Sequence, residues 1–216
     1  SLRAVRARLA RGASSAAIVV ALLGAFATPA HAASDSGPAG YESYEKGDYG
    51  GAVERWREGL IDEPDSPLLR FNLGAALFRA GKFGEAAPEF AKAATGGDPA
   101  LTAKAAYNLG NTLYRKGQGT ESSDPKATIE TWQQALEAYR SAMSADPADE
   151  DPKFDYELVS MRLRALKEKL EKEEQEKQQQ QQDQQQDQQP QDQQQQQDQQ
   201  DQAQQDQQQP QDQQQQ

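Results

Sequence analysis

The sequence predicts an all-α protein, a solenoid of paired helices, and three observations carry that reading. Asn72-Leu73-Gly74-Ala75-Ala76-Leu77-Phe78-Arg79-Ala80-Gly81 returns as Asn108-Leu109-Gly110-Asn111-Thr112-Leu113-Tyr114-Arg115-Lys116-Gly117. Gly47, Tyr49, Ala52 and Trp56 are each followed 34 residues later, by Gly81, Phe83, Ala86 and Phe90. Pro64 and Pro147 stand where apolar periodicity ends, as residues that cannot continue a helix. Self-similarity at a fixed period outweighs local propensity in deciding a fold.

A 34-residue period with small and aromatic residues in these slots resembles the tetratricopeptide (TPR) pattern, a helix–turn–helix unit stacked into a solenoid. Its physics is legible in the residues. Gly74 and Gly110 fall in mid-helix, where glycine costs about 1 kcal/mol against alanine, so a bulky residue of the paired helix is expected to need the space. Ala86 and Ala93 are small for the same reason. Gly81 and Gly117 are expected to be left-handed C-terminal caps.

The elements follow in order. The first repeat, about 38–66, is the weakest. Its first helix, near 38–46, offers only Tyr41 and Tyr44 as bulky residues. Its second, near 51–62, is amphipathic through Val53, Trp56, Leu60 and Ile61. Asp65 or Ser66 caps the next helix with Pro67 at its first position, opening a repeat over 67–100 whose second helix, near 85–94, contains Pro88. The third repeat, 101–147, breaks pattern after Gly117: a polar stretch from Gln118 to Ser123 leads to Asp124-Pro125, an N-cap and first-turn pair. About thirteen extra residues, near 118–134, lengthen the loop and the helix it opens. Trp132 on that helix is either a contact surface on a projecting element or a residue packed back on the neighbouring repeat. Residues 148–177 form a capping and charged helix, with Phe154, Leu158, Met161 and Leu166 set to pack on the third repeat.

The ends differ in kind. Residues 1–32 combine Arg3, Arg6, Arg8 and Arg11 with an apolar run from Ala13 to Thr28 and the small-residue sequence Ala30-His31-Ala32, the layout of a secretory signal peptide. The expected location is periplasmic or exported, with membrane association through partners or an uncleaved leader. Without that leader, which carries four arginines and no acid, the net charge of −11 becomes −15, which disfavours nucleic acid. There is no cysteine, and the one histidine is His31. Beyond residue 32 the usual nucleophilic, general-base and metal-ligating residues are therefore missing, and neither an enzyme nor a cofactor is expected. Residues 178–216 are glutamine with seven Asp, two Pro and one Ala; nothing there is large enough to offset ordering entropy, and Pro190 and Pro210 prevent one continuous helix, so a disordered tail or a fraying helix is expected. One core-bearing domain remains, within 33–147 and its cap.

In TPR solenoids the first helix of each repeat lines a concave groove. By spacing, the groove residues are Leu68, Phe71, Asn72, Ala75, Phe78 and Arg79, then Lys104, Tyr107, Asn108, Asn111, Tyr114 and Arg115. Asparagines can hold an extended backbone by paired hydrogen bonds, aromatics supply apolar area, and the cations attract acidic segments. Against this stands the reading that Phe78 and Tyr114 are core and that Asn72 and Asn108 brace the helix pair. The Hsp-type carboxylate clamp needs Lys and Asn where Phe71 and Ala75 stand.

From Tyr107 to Arg115, with Ala135-Leu136-Glu137-Ala138-Tyr139, Asp149-Glu150-Asp151, Phe154-Asp155-Tyr156-Glu157-Leu158-Val159 and the Gln-rich tail, the chain resembles TPR proteins of the bacterial aerotolerance operon (Bat) family. Typical members carry Tyr-Asn-Leu-Glu where this chain has Phe154-Asp155-Tyr156-Glu157. The resemblance implies an exported scaffold working with von Willebrand factor A-domain membrane proteins, and indirectly a MoxR-type ATPase, in envelope stress tolerance. The alternative is a general periplasmic assembly or chaperone-like adaptor for cell-wall or outer-membrane machinery.

Overall fold

The structure, a computed structural model, describes residues 36–96 and 98–207, those beyond 184 as backbone only. The leader predicted over 1–32 and residues 208–216 lie outside the described residues. Seven helices follow one another: α1 (Ser36–Glu45), α2 (Tyr49–Asp62), α3 (Pro67–Arg79), α4 (Phe83–Ala93), α5 (Pro99–Gln118), α6 (Pro125–Ala145) and α7 (Asp151–Gln207). The chain divides into two units, the first ending at Leu166 and the second beginning at Lys167. No strand occurs among the described residues.

In the first unit α1/α2, α3/α4 and α5/α6 are helical hairpins, successive helices touch, and α3 also touches α5. The reason is the small-for-large exchange that the sequence implies. A Cβ on Gly74 would stand 3.0 Å from the Phe90 ring, and one on Gly110 would stand 2.5 Å from Tyr139. Gly40 plays the same part against Trp56, at 2.4 Å. Each ring lies fully buried against a helix that has no side chain to obstruct it. Ala52, Ala86 and Ala135 hold the equivalent close approach one turn earlier in the second helices, all with no exposed surface.

Cap chemistry sets the turns. Asp48, Asp98 and Asp124 accept from the backbone N–H groups of Gly51 (2.9 Å), Ala100 (3.1 Å) and Ala127 (3.0 Å), which satisfies donors that a helix start leaves unpaired. Pro67, Pro99 and Pro125 take the first helical positions, where a missing N–H is harmless. Ser66 holds the N-cap position of α3 without a side-chain cap bond. Gly47 and Gly81 close α1 and α3 in the left-handed region, at φ +78° and +75°, and φ of that sign is why glycine belongs there.

Gly117 does not match that expectation. It lies inside α5, and a Cβ there would meet Trp132 at 2.5 Å. The physical reason is the insertion. Gly117 lies seven residues beyond Gly110 on α5, and Trp132 lies seven before Tyr139 on α6, so the third hairpin repeats its glycine–aromatic layer two turns further out. The extra residues thus lengthen both helices. The polar loop shrinks to the turn 119–124, where Thr128 Oγ1 bonds the Gly117 carbonyl (3.1 Å) and Thr120 Oγ1 (2.8 Å).

The opening of α7 belongs to the first unit and takes the seat of a fourth first helix. Tyr107 donates to Asp155 Oδ2 at 2.8 Å, and Arg140 donates to the Tyr156 hydroxyl at 2.8 Å while stacking over its ring at 5.3 Å. Helix α7 is thereby tied to both helices of the third hairpin, and Val159, Leu163 and Leu166 are buried. The slot held by Gly40, Gly74 and Gly110 contains Glu157, exposed to solvent; a carboxylate there admits no second helix, so the stack ends.

The second unit is helix as far as Gln207. Its side chains from 171 to 184 are exposed, with Lys169–Glu173 and Lys172–Glu176 at 3.8 Å in i,i+4 spacing. Residues 178–207 follow a helical course, with Pro190 within it. Glutamine's straight side chain loses little freedom in a helix, so local propensity favours the helix over most of that stretch and opposes it at Pro190. No helix of the described residues is long and apolar enough to cross a membrane.

Candidate partner-binding groove

Helices α1, α3, α5 and the start of α7 present the row of first helices. The floor of the row is built into the packing. Phe71, Asn72, Ala75 and Phe78 are buried, and so is Asn108. Asn72, 2% exposed, donates through Nδ2 to the Tyr41 hydroxyl at 2.8 Å, tying α3 to α1. Burial pushes the Tyr41 hydroxyl's pKa up, with the Asn72 bond opposing. Asn108 Nδ2 donates to the Lys104 carbonyl at 3.0 Å. Asn72 braces α3 against α1, whereas Asn108 bonds within its own helix.

Tyr107 and Asn111 form a polar relay. The Tyr139 hydroxyl donates to Asn111 Oδ1 at 2.9 Å. The Asn111 side chain also lies beside the Tyr107 hydroxyl, which in turn donates to Asp155. Three helices are stitched by four side chains. Burial first, and the Asp155 carboxylate second, hold both the Tyr107 and Tyr139 hydroxyls far above the ordinary tyrosine pKa, so both stay protonated donors at any working pH.

The cations are arranged differently from free charges awaiting an acid. Arg79 lies over the Tyr49 ring at 4.8 Å and donates to its hydroxyl. Arg115 lies over the Phe83 ring at 5.3 Å. Each reaches back to the second helix of the preceding repeat, a cation–π contact worth about 0.5–1 kcal/mol at an exposed site. Their side chains remain exposed, so the charge is still presented. Lys104 is half-buried and makes no ion pair with any described residue.

Trp132 is corrected by its burial. It is 0% exposed, its Nε1 donates to the Tyr114 carbonyl at 3.1 Å, and its ring lies 5.6 Å from that of Tyr114. It packs inside its own hairpin and offers no contact surface; the glycine in the layer opposite, Gly117, is the signal that announces this.

A further set of groove residues escaped sequence reasoning. Phe71, Asn72, Phe78 and Arg79 recur 36 residues later as Tyr107, Asn108, Tyr114 and Arg115, and 47 residues after those come Phe154, Asp155, Met161 and Arg162. The larger step is the 34-residue period lengthened by the thirteen-residue insertion. The Tyr107–Asp155 hydrogen bond fits this register. Seven residues further along each helix, burial raises the pKa of Tyr114 and the Arg162 charge lowers it. Helix α7 therefore runs parallel to α5 and continues its face.

Comparison with known proteins agrees with this architecture. A family model described as TPR repeat matches residues 40–81. The curated "Small glutamine-rich tetratricopeptide repeat-containing protein 2" of Mycosarcoma maydis is 30% identical over 123 residues, 57% of this chain and 29% of that protein. The chain spans less than a third of that relative's length. The solved first TPR domain of human RPAP3 superposes with a TM-score of 0.51 at 19% identity, covering 64% of this chain and 97% of that domain. A structure titled as the first TPR of Spaghetti (RPAP3) bound to an HSP90 peptide gives 0.48 at 20% identity, over 57% and 86%. The fold is a TPR-like helical solenoid, and residues 40–81 carry the TPR repeat signature.

Proposed function

We propose that this chain is a non-enzymatic protein-interaction scaffold that holds a partner in the row formed by α1, α3, α5 and the start of α7. The observation that carries the reading is chemical: three successive first helices present Arg79, Arg115 and Arg162 at one position, beside half-exposed aromatic and apolar side chains, on a chain of net charge −11. Such a surface suits a protein segment far better than a small substrate, and beyond residue 31 no histidine or cysteine is available for catalysis.

The finer reading rests on the resemblance over about 103–216. In it the chain is exported, acts at the bacterial envelope, and works with von Willebrand factor A-domain membrane proteins and indirectly a MoxR-type ATPase in stress tolerance. A general periplasmic adaptor is the second reading, favoured by the long Gln/Asp helix that follows the repeats. In-cell crosslinking of the full chain followed by mass spectrometry separates them. Recovery of a von Willebrand factor A-domain membrane protein supports the first; recovery of cell-wall or outer-membrane assembly proteins in its place overturns it in favour of the second.

Groove variants must avoid the structural relay. Tyr107→Ala and Asn111→Ala break ties between α5, α6 and α7, so loss of binding in them does not report on a groove. Lys104→Glu and Leu68→Asp alter half-buried or exposed side chains and are expected to weaken capture of the crosslinked partner with helicity unchanged by circular dichroism. Full capture by both variants counts against the groove.

A further inference from the structure

We propose that the helix beyond Lys177 is a self-association element, in which the glutamine face of one chain pairs with the same face of a second copy. The pairing lies outside the groove and does not depend on the scaffold reading.

Helix α7 changes its means of support at Lys177. Before that residue cations and acids alternate, and the pairs Lys169–Glu173 and Lys172–Glu176 reinforce successive turns. No Lys or Arg follows Lys177, so the helical course from 178 to 207 has no i,i+4 ion pair to draw on. Apart from Pro190 and Ala203 that stretch is glutamine and aspartate. A helix with neither ion pairs nor an apolar face is marginal in water, because helices in proteins draw most of their stability from a packed face. This stretch of helix needs a partner surface.

The aspartates show which face is left for one. At the helical period of about 100° per residue, Asp183, Asp187, Asp198 and Asp201 fall within about 60° of one another. Asp192 and Asp206 lie on the flank of that arc, so every aspartate between 178 and 207 shares one half of the helix wheel. The opposite arc, about 140° wide, is centred on Gln182, Gln189, Gln193 and Gln200. Pro190 and Ala203 stand at its two rims, and no charge falls within it from 178 to 207.

The chemistry of that arc names its occupant. A primary amide both donates and accepts hydrogen bonds, so a row of glutamines complements another row of glutamines, and amide ladders between chains form on that basis. The same helix of a second copy offers such a row. Pairing on the glutamine arc keeps the two aspartate arcs apart, whereas pairing on any other face brings like charges together. There is no apolar coiled-coil seam, so the contact is weak and reversible. A paired assembly carries two solenoids, which makes the scaffold proposed above bivalent; that consequence alone rests on the scaffold reading.

Sedimentation equilibrium of the full chain from about 1 to 300 µM, with circular dichroism over the same range, tests the pairing. The expected result is a reversible dimer with a Kd of about 10–100 µM. Helicity should rise with the dimer fraction, and association should tighten at high salt as the aspartate arcs are screened. The triple variant Gln189→Asp, Gln193→Asp, Gln200→Asp places charge on the glutamine arc and is expected to weaken the dimer about tenfold or more. The triple variant Gln191→Asp, Gln194→Asp, Gln205→Asp adds the same charge within the aspartate arc and is expected to keep it. A chain that stays monomeric throughout overturns the proposal. An equal response of the two variants, whether loss or retention, overturns the assigned face. A dimer that persists when residues 178–216 are deleted belongs to the first unit and overturns the helix as its seat. Capture of the crosslinked partner is read separately, so failure of the pairing leaves the scaffold reading intact.

Discussion

In the first repeat Trp56 fills the space that Gly40 leaves, and in the third Tyr139 does the same against Gly110; the slots are equivalent, but the chemistry around them is not. Around Trp56 the neighbours are rings, Tyr41 edge-on at 5.5 Å and Tyr44 at 5.8 Å, and the Trp56 Nε1 and the Tyr44 hydroxyl are both buried with no hydrogen-bond partner among the described residues. Around Tyr139 every polar group has a partner: Asn111 for its hydroxyl, the Tyr114 carbonyl for the Trp132 indole, the Gly117 carbonyl for Thr128. One backbone geometry thus tolerates an apolar filling and a polar one. The polar version fixes helix register more narrowly, because each bond has one acceptable geometry while ring contacts allow several. It stands where the third hairpin holds the opening of α7 through Tyr107 and Arg140.

The comparison breaks most severely at Trp132. Truncation to alanine removes a fully buried indole and its hydrogen bond, and is expected to cost about 3–5 kcal/mol, read as a lowered urea midpoint. The loss should fall on the outer two turns of the third hairpin, so hydrogen exchange there should rise before the first repeat is affected. A loss below about 1 kcal/mol would mean that the extended hairpin is not a packed element.

Gly110→Ala comes next. The added methyl meets a ring that is itself walled in, and overpacking of that kind costs about 1–3 kcal/mol. Gly84→Ala is the contrast, since a Cβ at that α4 position meets nothing within 4 Å; there the gain in helix propensity is about 0.5–1 kcal/mol. If both glycines respond alike to denaturant, the close approach at Gly110 is not what selects glycine.

Tyr139→Phe isolates the relay from the packing. The ring stays and the hydroxyl goes, leaving the half-buried Asn111 Oδ1 without its donor, at a cost of about 0.5–1.5 kcal/mol. The same tyrosine supplies a pH signature. Its folded pKa lies above the ordinary value of about 10, as does that of Tyr107, so the unfolded chain ionises first. The stabilisation is complete below pH 10 and falls as pH rises beyond it. Tyr139→Phe and Tyr107→Phe should each flatten the alkaline fall in stability; a wild-type profile level through pH 11 would contradict the buried, protonated relay.

The unequal repeats also explain what was legible in advance. The glycine and alanine slots are dictated by steric contact between neighbouring helices and recur at a constant period, so Gly74, Ala86 and Ala93 announce the fold and the turns to within a few residues. Trp132 was ambiguous because an insertion shifts the period, and only its opposite number, Gly117, reveals the second packing layer. The relay was illegible for a different reason. Asn111 and Tyr107 look identical on a helix wheel whether they face a ligand or a neighbouring helix, and which occurs depends on Asp155, 48 residues from Tyr107 in sequence.

The smallest effect is the sharpest probe of the difference between the repeats. Tyr44→Phe makes the same chemical change as Tyr139→Phe, in a ring that is also buried. Its hydroxyl has no hydrogen-bond partner within bonding distance among the described residues, and burial already raises its pKa, with the Arg79 guanidinium nearby opposing that rise. Removing a buried hydroxyl that lacks a partner relieves a desolvation cost without orphaning another group, so stability is expected to stay within about 0.5 kcal/mol of the parent or to rise. A double-mutant comparison with Tyr139→Phe should be additive, since the two sites share no partner. A loss at Tyr44 as large as that at Tyr139 would show that its hydroxyl is bonded in solution, through Arg79 as the nearest donor, and that the first repeat is held by polar contacts after all.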